Sequence, residues 1–144
     1  MEIIRAPLSN PERGVLEVLL PVDRHTLAKR RWRGAAEDGR EFGCDLAEPL
    51  DDGTPVFYGD GTTYVISQRP EQVIEIPISR PAEGARLGWL VGNLHFSLEI
   101  VGDILCVADD PALRQMLLRE HIPFSEVWRV FHPFRQAHDH GHDH

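Results

Sequence analysis

The sequence predicts an α+β chain in which a small all-β domain precedes a unit that alternates strands with helices, followed by a histidine-rich tail. Three observations carry this. Short apolar runs separated by Asp-Gly turns fill the first half, two apolar stripes at helical spacing follow Ile78, and apolar residues all but stop after Pro133. A length of 144 residues suits one ordinary domain or two small ones. With 42% hydrophobic residues, most of it is expected to pack a core.

In the first half, apolar runs at Gly14 to Val22, Phe42 to Leu46, Pro55 to Tyr58, Thr62 to Ser67 and Gln72 to Ile78 read as strands. The separators are Glu37-Asp38-Gly39, Asp51-Asp52-Gly53 and Gly59-Asp60-Gly61, where glycine supplies positive φ and Asp bonds its own backbone. Between the first two runs lies a basic segment holding Arg24, Lys29, Arg30, Arg31 and Arg33. It reads either as a solvated face or as a docking patch for an acidic partner protein.

After Ile78 the period changes. Ser79, Pro81 and Glu83 mark a helix start, and Leu87, Leu90, Val91 and Leu94 fall at i, i+3, i+4 and i+7. Gly92-Asn93 offers the stop. Phe96 to Ile100 and Ile104 to Val107 read as strands joined through Val101-Gly102-Asp103. Asp110 is a good N-cap and Pro111 suits the first helical position, with Leu113, Met116 and Leu117 as the second stripe. Phe124 to Phe131 reads as the last strand. With Gln72 to Ile78 as the opening strand the order is β-α-β-β-α-β, the ferredoxin-like split motif, whose sheet would bury both helical stripes on one face. The expected division is therefore residues 1–77, residues 78–133 with a first strand beginning near 72, and a disordered tail over 134–144.

The net charge of −8 argues against a protein that coats nucleic acid or anionic membrane. The longest stretch without a formal charge, Leu87 to Leu98, is well short of the ~18–20 residues of a spanning helix. The opening Met1-Glu2-Ile3-Ile4-Arg5 lacks the basic and apolar regions of a secretory signal, so a cytoplasmic location is expected. Cys44 and Cys106 form no Cys-x-x-Cys pair, and Cys106, in the run Ile104 to Ala108, reads as a small buried hydrophobe. No Gly-x-Ser-x-Gly, His-Glu-x-x-His or phosphate loop occurs, and no enzymatic activity is expected.

Four of the 8 histidines, His138, His140, His142 and His144, alternate with Asp or Gly at the end of the chain. Neutral imidazole suits Ni, Cu and Zn, whereas carboxylates alone would favour Ca or Mg. Ordering such a tail costs about 1–2 kcal/mol per residue, so binding there should be labile and fit for carrying a metal. Asp139 and Asp143 can accept the second ring N–H of a ligating histidine. His132, in Phe131-His132-Pro133, is a possible helper ligand. His25 and His121 read as surface residues, and so does His95 on composition alone, as a loop residue between a helix stop and a strand. Because ligating histidines must be neutral, binding should weaken as pH falls through the ordinary histidine range near ~6.5.

The stretch Leu90-Val91-Gly92-Asn93-Leu94-His95-Phe96-Ser97-Leu98-Glu99-Ile100 resembles a Leu-Gly-Asn-Arg-His motif and the strand after it in the urease accessory protein E family of nickel metallochaperones. Asp109 to Leu117 is similar to that family's Asp-x-x-Leu-x-x-Met-Leu helix. Glu37 to Glu41 with the basic stretch before it, and the histidine-rich tail, match in place and composition. The resemblance covers essentially the whole chain. It implies an N-terminal β-domain that contacts partner proteins and a ferredoxin-like domain that dimerises, bringing two copies of His95 together across a two-fold axis.

On that resemblance His95 is the fixed metal anchor, and His138, His140, His142 and His144, with His132, are the mobile ligands. The implied cargo is Ni2+, with Zn2+ or Cu2+ possible in vitro. The implied partners are urease and other urease accessory proteins, including a GTPase. There are departures: Leu94 replaces the motif's Arg, the family's Pro-Glu after the last strand is Pro133-Phe134, and Val107-Ala108-Asp109-Asp110 stands where some members carry extra histidines. The alternative expectation is a general buffer of Ni, Zn or Cu without a specific client.

Overall fold

A computed structural model of the chain describes residues 1–9 and 16–134. The chain divides into two compact units, Met1–Arg69 and Pro70–His144. It is α+β, with strands dominating the first unit and strands and helices alternating in the second.

In the first unit, β1 (Glu2–Ile4) pairs in parallel with β4 (Glu41–Asp45), which pairs antiparallel with β3 (Arg31–Ala35). A second sheet runs β2 (Leu16–Val22), β6 (Thr62–Gln68), β5 (Pro55–Gly59). Leu20 and Val22 from β2, Val56 from β5 and Tyr64 and Ile66 from β6 share one core with Ile4, Trp32, Phe42 and Cys44. Asp60 and Gly61 join β5 to β6 at φ 54° and 75°, both positive, as a type I′ hairpin turn requires.

Two elements of this unit begin inside the stretch read as a basic segment. The first is α1 (Arg24–Leu27), a single turn capped by the Asp23 carboxylate, which accepts from Thr26 N–H at 2.9 Å and from its hydroxyl at 2.8 Å. The second is β3, where Trp32 is buried between exposed Arg31 and Arg33. One apolar residue between two arginines is a complete strand alternation, but the charges dominate its composition. The expected first strand from Gly14 is described from Leu16.

The second unit contains β7 (Glu71–Pro77), α2 (Pro81–Asn93), β8 (Glu99–Val101), β9 (Ile104–Ala108), α3 (Pro111–Arg119) and β10 (Ser125–Arg129). The division at Arg69/Pro70 leaves β7 whole in this unit, because it pairs with β9 and β10. The sheet order is β10-β7-β9-β8, every neighbour antiparallel. Ile74, Ile76, Leu105 and Val107 point to the face covered by α2 and α3, where Leu87, Val91, Leu113, Met116 and Leu117 are buried against them. Asp110 caps α3 by accepting from Ala112 N–H at 2.8 Å. Gly102, at φ 60°, takes the first position of the two-residue turn from β8 to β9, with Val101 already in the strand. No helix among the described residues is long and apolar enough to cross a membrane.

Two expected strands are shorter than their apolar runs. Pairing begins at Glu99 instead of Phe96, because the Phe96 N–H is bonded to Val91 O at the end of α2. The last strand stops at Arg129 instead of Phe131, because Phe131 turns onto the face that the helices leave open and packs on Val73 and Cys106.

Candidate metal site

The end of α2 sets the conformation of His95. The helix runs through both residues of the expected Gly92-Asn93 stop and closes on Leu94; His95 then enters the left-handed region at φ 65°. His95 N–H donates to Gly92 O at 2.9 Å and Phe96 N–H to Val91 O at 3.3 Å. These are the two bonds of a Schellman cap, with histidine at the position glycine usually takes. Phe96 packs on the helix-side core, and His95 is exposed.

Left-handed backbone costs a side-chain-bearing residue about 1–2 kcal/mol, and such strain persists where a particular side chain is needed. His95→Gly relieves it but frees the unfolded chain, which offsets about 0.4–1 kcal/mol. The net expectation is a unit stabilised by roughly 0.5–1 kcal/mol in His95→Gly, while His95→Ala keeps the strain and gains nothing. Thermal unfolding of the two variants side by side checks it; a glycine variant less stable than the alanine one would contradict a strained cap.

The end of α3 repeats the device. His121, at φ 57°, donates its N–H to Leu118 O at 3.2 Å, and Ile122 N–H reaches Leu117 O at 2.9 Å. His121 is exposed like His95. His25 is exposed on α1, in the first unit.

After β10 the chain crosses the open face of the sheet. Phe131 is 1% exposed, His132 N–H donates to Glu99 Oε1 at 3.1 Å, and Phe134 N–H donates to Leu98 O at 2.8 Å. β10 and β8 are the outer strands of the four, three strand steps or about 14 Å apart. The crossing thus ends beside Leu98, which is three residues along the chain from His95 and at most about 11 Å from it. His132 itself is exposed. His138, His140, His142 and His144 lie outside the described residues.

The acids that begin and follow α3 are already engaged. Arg114 donates to Asp109 at 2.7 and 3.1 Å and also to Glu126. Its guanidinium holds both carboxyls below the usual carboxylate range. Asp109 is thus bound in an ion pair and Asp110 in a helix cap, in the stretch Val107 to Asp110. Cys106 is fully buried, with Arg129 Nη1 at 3.5 Å from its sulfur, and burial pushes its thiol up. Burial likewise raises the Cys44 thiol to about 11. Neither cysteine is a ready thiolate ligand. Among the described residues, no group of three or more His, Cys, Asp or Glu side chains is gathered for an ion. What the described part of one chain presents is two exposed imidazoles on helix caps, His95 and His121, of which His95 lies three residues from the Leu98 carbonyl that accepts the Phe134 N–H.

The sequence did not reveal the left-handed conformation of His95 or the partnership of Glu99 with His132. Glycine or asparagine is the usual mark of a left-handed cap, and here Gly92 and Asn93 both stand ahead of the cap position that His95 takes. The Glu99 contact joins residues remote in sequence and leaves no local pattern.

The family model described as "UreE urease accessory protein, C-terminal domain" matches residues 71–144. A protein of Azorhizobium caulinodans named urease accessory protein UreE is 33% identical over 155 residues, covering 99% of this chain and 74% of its own. Proteins of the same name from Ralstonia nicotianae and Nitrosococcus oceani are 30% and 32% identical, each over 81% of this chain. The match spans 58% of the Ralstonia protein's length and 71% of the Nitrosococcus protein's.

Proposed function

The chain belongs to the UreE urease accessory protein family, and from that premise we propose that it is a nickel metallochaperone that delivers Ni2+ to apo-urease during assembly of the urease active site. The observation that carries the reading is the exposed His95 on the cap of α2, three residues from Leu98, whose carbonyl accepts the Phe134 N–H at 2.8 Å just before the histidine segment begins.

One imidazole makes a weak site. An isologous two-fold contact between second units supplies a second copy of His95 without further sequence, and this is the homodimer we assign. His138, His140, His142 and His144, with His132 as a helper, complete a shell of nitrogen donors, a set that favours Ni, Cu and Zn over Mg or Ca. Donors on the histidine segment and donors on the α2 cap allow the ion to be captured and released one ligand at a time, as transfer requires. The first unit is read as the surface for urease and the other accessory proteins, a GTPase among them. Its exposed Lys29, Arg30, Arg31 and Arg33 suit an acidic partner surface. The assembly is placed in the cytoplasm.

Urease activation in cells lacking the chain tests the reading. Activity should drop sharply at limiting nickel, return when nickel is added in excess, and return at limiting nickel when the chain is restored. Full activity at limiting nickel without the chain would overturn delivery.

A further inference from the structure

We propose that the outer edge of β3 receives an extended acidic segment of a partner protein by strand addition, with the main chains of Arg31 and Arg33 as the pairing groups and the Arg33 guanidinium as the charge that holds the segment's carboxylates. This rests on the reading of the first unit as the partner surface and names the place and the mode of the contact.

β3 ends its sheet, in the order β1-β4-β3. Two bonds at the ends of its ladder with β4 set the phase: Leu46 N–H donates to Arg30 O at 3.0 Å, and Ala36 N–H donates to Arg40 O at 2.8 Å. Bonding residues alternate in an antiparallel pair, so Trp32 and Gly34 also face β4, opposite Cys44 and Phe42. The N–H and C=O of Arg31 and Arg33 therefore face away from it. On that side the backbone bond to β2 comes beyond the strand, where Glu37 N–H donates to Leu19 O at 2.9 Å. Among the described residues no backbone group bonds to the outward groups of Arg31 or Arg33. Main-chain groups without a partner are kept in water, so these stand as an open edge. Edges are commonly closed by a proline or a bulge, but β3 has no proline and keeps an unbroken register with β4.

The side chains define what such an edge would take. Trp32 is buried, and Arg31 and Arg33 project from the other face, two residues or about 7 Å apart. Arg5 and Arg31 each donate to Asp45 at 3.2 Å, so one carboxylate serves two guanidinium groups. Arg33 is exposed and has no ion-pair partner among the described residues, and exposed Lys29 and Arg30 lie just before the strand. Residues directly opposite in an antiparallel pair share a face, so carboxylates at alternate positions of an added strand come beside Arg31 and Arg33. A nucleic acid would meet these charges and leave the edge unpaired; an acidic polypeptide satisfies both.

A fluorescein-labelled ten-residue peptide of alternating glutamate and threonine, titrated against the full chain without nickel and followed by fluorescence anisotropy, tests the edge. Binding is expected, weaker as salt rises and roughly tenfold weaker in Arg33→Ala, since hydrogen bonds to charged groups are the strong ones. The same peptide with lysine in place of glutamate should not bind. Hydrogen exchange followed at single amides by NMR separates pairing from attraction alone. In the free chain the Trp32 and Gly34 amides should be protected and those of Arg31 and Arg33 should exchange fast; with the acidic peptide bound, the Arg31 and Arg33 amides should become protected as well. Failure of the acidic peptide to bind overturns the site. Binding that leaves the Arg31 and Arg33 amides fast, or a single-stranded oligothymidylate that binds as tightly as the peptide, means a charged patch and overturns strand addition. Either result leaves nickel delivery standing, because urease activation tests that separately.

Discussion

Nickel affinity should fall by more than about a hundredfold when His95→Ala is combined with truncation after Ala137, as measured by titration calorimetry on the purified chain. Loss of a group that merely supports a metal ligand costs roughly 10–100-fold, so loss of the ligands themselves should exceed that range. The single changes should each have a smaller effect, since His95→Ala leaves the tail histidines and truncation leaves His95. Because both act on the same ion, their effects should not add. His121→Ala serves as a control: His121 has the same left-handed cap geometry and exposure as His95 but belongs to the end of α3. Its loss should leave the titration unchanged. If the combined variant kept wild-type affinity and stoichiometry, the site would lie elsewhere on the chain.

The parts of this architecture that were legible in the sequence are those governed by neighbours along the chain. The Asp60-Gly61 turn, the Asp110 cap and the apolar stripes of α2 and α3 follow from local chemistry, and each stands where that chemistry puts it. The misreadings share a cause in tertiary competition. Phe96 is apolar and followed by a strand, yet its N–H closes the α2 cap, so pairing cannot start there. Phe131 continues the apolar run of β10, yet its ring has a better place on Val73 and Cys106 than at a sheet edge. β1 was missed because three residues carry no period, and its parallel pairing with β4 depends on chain far away.

The candidate site divides along the same line. His95 was identified by resemblance and not by any property of its neighbours; the reason that a histidine there is unusual, a φ of 65°, appears only in three dimensions. The segment after β10 is held by wholly non-local contacts, since β9, α3 and β10 all lie in sequence between the partners of the bonds from His132 to Glu99 and from Phe134 to Leu98.

Phe131→Ala should destabilise the second unit by about 3–5 kcal/mol, the usual cost of deleting a buried phenylalanine, while Trp128→Ala should change it by no more than about 0.5 kcal/mol. Both are aromatic and lie three residues apart, but Phe131 is 1% exposed and Trp128 is 71% exposed. The cavity left by Phe131 would be walled by Val73 and Cys106, with Ile104, Ala108 and Val127 around them. Most of these sit on paired strands and are short, so they cannot swing in to fill the space, which puts the cost toward the upper part of the range. Domains are stable by only about 5–15 kcal/mol, so this one change would remove a large share of the margin. Because the chain has two units, the readout must be local: hydrogen exchange of the β7 and β9 amides separates this unit from the first. Loss of protection confined to those strands in Phe131→Ala, with none in Trp128→Ala, is the expected pattern. Comparable effects from the two variants would mean that the segment after β10 does not cover the sheet.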